Sequence, residues 1–86
     1  MTSNNLSGKN VVIIGGTAGI GLAAAQAAAE LGANVWAAGR SAAHIEKARE
    51  LSNGSFEVRQ ADTHDAESMQ AIFEEAGSID HLISAA

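Results

Sequence analysis

Seven consecutive residues carry the spacing with the most chemical content: Gly15-Gly16-Thr17-Ala18-Gly19-Ile20-Gly21. Glycine lacks a Cβ, so backbone built from it can approach a ligand closely and can take positive φ without strain. The loop follows the apolar run Asn10–Ile14 and opens an Ala-rich run from Ile20 to Leu31. A strand-to-helix turn of this kind aims free N–H groups and the positive end of a helix dipole at whatever lies above it, which favours a phosphate or pyrophosphate. The spacing is Gly-x3-Gly-x-Gly rather than Gly-x-Gly-x-x-Gly. No Lys follows the last glycine, as a triphosphate-binding loop would require. The same residues also suit a ligand-free tight turn, a common device of α/β chains.

A second candidate group lies about twenty residues on. In dinucleotide-binding folds an acidic residue ending the second strand binds the adenosine ribose hydroxyls and selects NAD. Counted from the glycine loop, that position falls near Gly39, and Arg40 and Ser41 follow it. With no carboxylate there, nothing repels a ribose 2′-phosphate, and a guanidinium can pair with it. A charge-assisted hydrogen bond of this type is worth about 1.5–3 kcal/mol, and Ser41 can add a hydroxyl or an N–H. The other reading is a solvated surface arginine beside a helix cap. Asp62-Thr63, taken alone, reads as a turn ahead of a helix capped by Asp65.

These residues need elements to position them. Asn10–Ile14 reads as a strand buried on both faces. Ile20–Leu31 reads as a helix, with Gly32 as its C-terminal stop. Asn34–Ala38 is a second short strand, and Ser41 caps a helix from Ala42 to about Leu51. Asn53-Gly54 signals a turn, and Phe56–Gln60 a third strand. Asp65 caps a helix through Ala76, with Met69, Ile72, Phe73 and Ala76 at three-to-four-residue spacing. Gly77 ends it, and Ile79–Ser84 forms a fourth strand. The order β-α-β-α-β-α-β means parallel strands joined by right-handed crossovers. Wound as a dinucleotide fold, the strands take the order 3-2-1-4, the first two helices cover one face, and the third covers the other alone. Ligand then sits between strands 1 and 4 at their C-terminal ends.

Composition narrows the function classes. The chain has 86 residues, nine glycines, no cysteine and a formal charge of -5 from 5 basic and 10 acidic side chains. Nucleic acid and anionic membrane are poor partners for it, since both need clustered Lys and Arg. The longest apolar stretch, Ala18–Ala29, is too short to span a bilayer. The first residues lack a signal-peptide layout, so the expected location is cytoplasmic. His44, His64 and His81 fall in different elements without ligand spacing, and no metal site is expected. Glu46, Lys47, Arg49 and Glu50 read as one solvated helix face. Trp36 reads as core or as packing beside the ligand.

Taken together, Leu6-Ser7-Gly8-Lys9-Asn10-Val11-Val12-Ile13-Ile14-Gly15 and Gly15-x-x-x-Gly19-Ile20-Gly21 resemble the opening of a short-chain dehydrogenase/reductase. The family usually has Thr where Ile14 stands. The resemblance covers essentially all 86 residues but only the first third to half of a usual member. It implies a Rossmann-like doubly wound α/β sheet, here partial. It implies that residues 1–86 are the N-terminal part of an NAD(P)-binding domain. It also implies a cofactor site of Gly15, Thr17, Ala18, Gly19, Ile20 and Gly21 around the pyrophosphate. Gly39-Arg40-Ser41 resembles the members that prefer NADP, with NAD the lesser alternative. Asp62, with Thr63, takes the place of the family's adenine-binding aspartate. Asp80, Leu82, Ser84, Ala85 and Ala86 stand where members carry Asp-x-Leu-Val-Asn-Asn-Ala along the cofactor, with Ser84 and Ala85 replacing the two asparagines.

The resemblance also implies what lies elsewhere. The family's catalytic Ser and Tyr-x-x-x-Lys come after the fourth strand, and the sequence holds no tyrosine. No residue here is assigned as catalytic. The expectation is a cofactor-binding fragment of a hydride-transferring oxidoreductase, inactive alone, with an exposed fourth-strand edge through which copies could associate. The alternative is a stand-alone nucleotide-binding or assembly module without catalysis.

Overall fold

The computed structural model describes residues 6–85. Four strands and three helices alternate: β1 (Asn10–Ile14), α1 (Gly19–Glu30), β2 (Asn34–Gly39), α2 (Ala42–Ser52), β3 (Glu57–Gln60), α3 (Ala66–Ala76) and β4 (His81–Ser84). The strands pair in parallel in the order β3-β2-β1-β4, as the sequence predicts. The register sets Ile14 beside Ala38 of β2 and Ser84 of β4. It also sets Gly39 beside Gln60. The C-terminal ends of all four strands therefore meet along one edge of the sheet.

Alternation along the strands divides the core in two. Val11, Ile13, Val35, Ala37 and Val58 pack with Ala25 and Ala28 of α1 and Ile45 and Ala48 of α2. Val12, Ile14 and Ala38 face the other way, onto Ile72 and Ala76 of α3. Two helices thus cover one face and one helix the other, as the winding rule requires. The buried stripe of α1 is Gly21, Ala25 and Ala28. Its small side chains let the helix lie close to β1 and β2. On the α3 face, Trp36 is half-buried and donates its indole N–H to Glu75 Oε2 at 3.2 Å. Arg59 grips the same carboxylate at 3.0 and 2.6 Å and also reaches Glu57. Trp36 therefore belongs to the seam between β2 and α3.

Element ends differ from expectation by one or two residues, for local reasons. Helix α1 starts at Gly19 because Leu22 already donates to the Ala18 carbonyl. Gly32, at φ 93°, follows the cap residue Leu31 in the left-handed conformation expected of a helix stop. Strand β2 continues to Gly39, whose carbonyl accepts from Ala61 N–H. Phe56 precedes β3 and is buried in the core without being in the strand. Strand β4 begins two residues late, at His81. Ahead of it Asp80 exchanges bonds with Asn10, its N–H donating to the Asn10 carbonyl and its carboxylate accepting the Asn10 N–H. Arg49 is not merely solvated, since it donates to the Val58 carbonyl and ties α2 to β3. All four residues of β4 are exposed, Leu82 and Ile83 among them.

Candidate functional site

At the shared C-terminal edge of the strands the structure opens a cleft of about 560 Å³. The glycines of the loop answer to two needs, positive φ or the lack of room for a Cβ. Gly15 and Gly19 have φ of 84° and 57°, the left-handed region that other residues rarely take. Gly21 has no such need, but a Cβ there would fall on the Gly15 carbonyl oxygen. The first turn of α1 is thereby packed onto the end of β1. The N–H groups of Gly15 and Gly16 both donate to the Ala38 carbonyl, at 2.8 and 3.0 Å, which folds the loop back across the end of β2.

The helix above this loop is the least capped of the three. Ser41 accepts the His44 N–H at the start of α2, and Asp65 accepts those of Glu67 and Ser68 at the start of α3. At the start of α1 the cap residue is Ala18, in extended conformation, with no side-chain cap. The first-turn N–H groups of a helix have no carbonyl partner within it. Those of α1 are left for a ligand or for water beside the cleft.

Gly15, Thr17 and Ala18 line the cleft on the loop side, and Arg40 and Ser41 line it at the end of β2. Thr63 lines it from the β3–α3 loop and Ala85 from beyond β4. Ala85 is held there by its N–H bond to the Ile14 carbonyl at 2.8 Å. Thr17 is 5% exposed and lies against Gly39 so closely that a Cβ on Gly39 would land on its hydroxyl. The residue pair thus seals the floor between the glycine loop and β2.

Other expected residues stand off the walls. Gly21 lies beneath the loop, while Gly19 and Ile20 are exposed at its outer lip, Ile20 at 86%. Ser84 is exposed on β4 opposite Ile14. Ala86 lies outside the described residues. Asp62 builds the turn that the sequence suggests: its Oδ1 accepts the His64 N–H at 2.9 Å and faces the His64 ring at 3.2 Å. That backbone bond above all holds the Asp62 carboxyl below the usual aspartate range, helped by the charges of Arg40 and His64.

Ile14, Gly39, Ala61 and His44 also line the cleft, and of these the sequence reading singled out only Gly39, near the position that ends the second strand. The first three are the last or flanking residues of strands, and the register brings them there. His44 had a legible signal. It is the third residue of a helix whose cap is Ser41, and a helix turn sets that position beside its cap. Among the described residues, no three His, Asp or Glu side chains gather as metal ligands, and no helix is long and apolar enough to cross a membrane.

The sequence profile described as short chain dehydrogenase matches residues 9–86. The chain belongs to the short-chain dehydrogenase family. A solved structure described as a short chain dehydrogenase/reductase family protein is 34% identical, with a TM-score of 0.83 over 94% of this chain and 34% of its own. The MalC Reductase/Diels-Alderase from Malbranchea aurantiaca is 31% identical, with a TM-score of 0.85 over 98% of this chain and 39% of its own. The chain spans little more than a third of the length of these structures. No curated protein matches it. The family comprises oxidoreductases that bind nicotinamide dinucleotides, and the doubly wound fold expected from that relationship is the one found.

Proposed function

We propose that this chain forms the cofactor-holding part of an oxidoreductase that moves hydride between NADP(H) and a carbonyl or alcohol. The observation that carries the preference is the rim formed by Gly39, Arg40 and Ser41. It brings a guanidinium and a hydroxyl to the cleft, with no carboxylate at the end of β2. The structure fits a dinucleotide in two further respects. Gly15, Thr17 and Ala18 of the glycine loop line the cleft, and the uncapped start of α1 offers N–H groups and positive dipole.

The proposed division of labour follows from these positions. Residues Gly15–Gly21 cradle the pyrophosphate, with Thr17 and Ala18 on the cleft wall. Arg40 and Ser41 take the ribose 2′-phosphate. Asp62 and Thr63 flank the adenine, and Ser84, Ala85 and Ala86 follow the cofactor toward the nicotinamide. The nicotinamide supplies or accepts the hydride when bound. This chain's residues hold and orient it. The 86 residues contain no tyrosine, so the proton donor for the carbonyl is proposed to come from a region of the protein other than these residues.

The test is calorimetry of NADPH and NADH binding to the folded protein and to Arg40→Ala. NADPH should bind tighter by about one to two decades, the worth of a charge-assisted bond, and Arg40→Ala should narrow that gap. Equal binding, or a preference for NADH, by the unaltered protein would overturn the assignment.

A further inference from the structure

His44 lies on the same cleft wall as Arg40 and Ser41, and none of the roles proposed above uses it. Its position is fixed by the cap of α2: the Ser41 side chain accepts the His44 N–H at 3.3 Å, and Ile45 N–H donates to the Ser41 carbonyl at 2.9 Å. The residues between, Ala42 and Ala43, have N–H groups with no carbonyl four residues back inside the helix. One end of the cleft is therefore lined by Arg40, Ser41 and His44, at the positive end of the α2 dipole. A cation placed at a helix N-terminus is unfavourable by itself. An anion bound beside it reverses that sign, because the anion then attracts both dipole and imidazolium.

We infer that His44 is a second basic contact to the 2′-phosphate, a specificity-determining residue that acts beside Arg40. The inference rests on the NADP(H) reading above. The imidazole can donate a ring N–H to a phosphate oxygen. Arg40, at the end of β2, is the other charged residue of this cleft lining, and Glu46 and Lys47 follow His44 on α2. The 2′-phosphate also titrates, near about pH 6, and losing its second charge weakens every contact to it. The informative comparison is therefore between variants at one pH.

The experiment measures dissociation constants for NADPH and NADH at one fixed pH with unaltered protein, His44→Gln and His44→Lys. His44 is exposed on a helix surface, so neither variant disturbs the core. His44→Gln should weaken NADPH about three- to tenfold and leave NADH unchanged. His44→Lys should hold NADPH at least as tightly as the unaltered protein. If His44→Gln binds both cofactors as before, or loses both alike, the inference falls while the Arg40 reading stands. If His44→Lys is as weak as His44→Gln, charge is not what His44 contributes and the inference likewise falls. If the unaltered protein shows no preference for NADPH, both fall together.

Discussion

By its distance from the glycine loop, Gly39 is proposed to lie near the position where NAD-selecting dinucleotide folds carry a carboxylate, and a side chain on Gly39 itself would meet Thr17. A Cβ built on Gly39 would land on the Thr17 hydroxyl, 2.9 Å from its methyl carbon and 3.0 Å from its Cβ. Thr17 is 5% exposed and belongs to the glycine loop, so it has little room to retreat. Gly39→Ala should therefore cost about 1–3 kcal/mol, the range for overpacking a close-packed site. For a folding unit of this size each kcal/mol lowers Tm by about 4–8 °C. Thr17→Ala removes the two worst contacts but leaves the Cβ–Cβ distance at 3.0 Å. It should rescue Gly39→Ala in part, and Thr17→Gly should rescue it further. A double-mutant cycle read by thermal or urea unfolding should give a coupling of about 0.5–3 kcal/mol. If Gly39→Ala is neutral, or its cost simply adds to that of Thr17→Ala, the packing argument is wrong. The same reasoning predicts that Gly39→Asp alone will not produce a good NADH site, because the clash precedes any gain from the carboxylate.

Further outcomes follow from other contacts. Gly21→Ala should abolish dinucleotide binding and lower stability, since its Cβ meets the Gly15 carbonyl; retained binding by calorimetry would contradict the close approach described for the loop. Asp65→Ala should cost about 1 kcal/mol in urea unfolding, through loss of the cap bonds to Glu67 and Ser68. Arg59 beside Glu75 holds that carboxyl below the usual glutamate range. Its contribution is thus present above the unfolded value of about 4.3 and lost as pH falls through the lower folded value. With side chains 36% and 38% exposed, the pair is worth about 0.5–1 kcal/mol. Glu75→Gln should be less stable by that amount at neutral pH, and the difference should close in unfolding curves taken well below the glutamate range.

Local pattern was enough for much of the fold. The β-branched run Val11–Ile14, the Ser41 and Asp65 caps and the glycine stops determine which segments are strands and helices, because those preferences act over a few residues. Their order then leaves one winding for parallel strands. The glycine spacing was likewise legible as a phosphate-facing turn, and Arg40-Ser41 as the residues closing the second strand. What only tertiary structure decided is which side chains share the cleft. Parallel register carries Ile14, Gly39 and Ala61, from three strand ends, to one edge. Packing sets Thr17 against Gly39, and the turn of α2 swings His44 in beside Arg40. Contacts between residues distant in the chain depend on register and helix packing, and these are settled by the whole core at once.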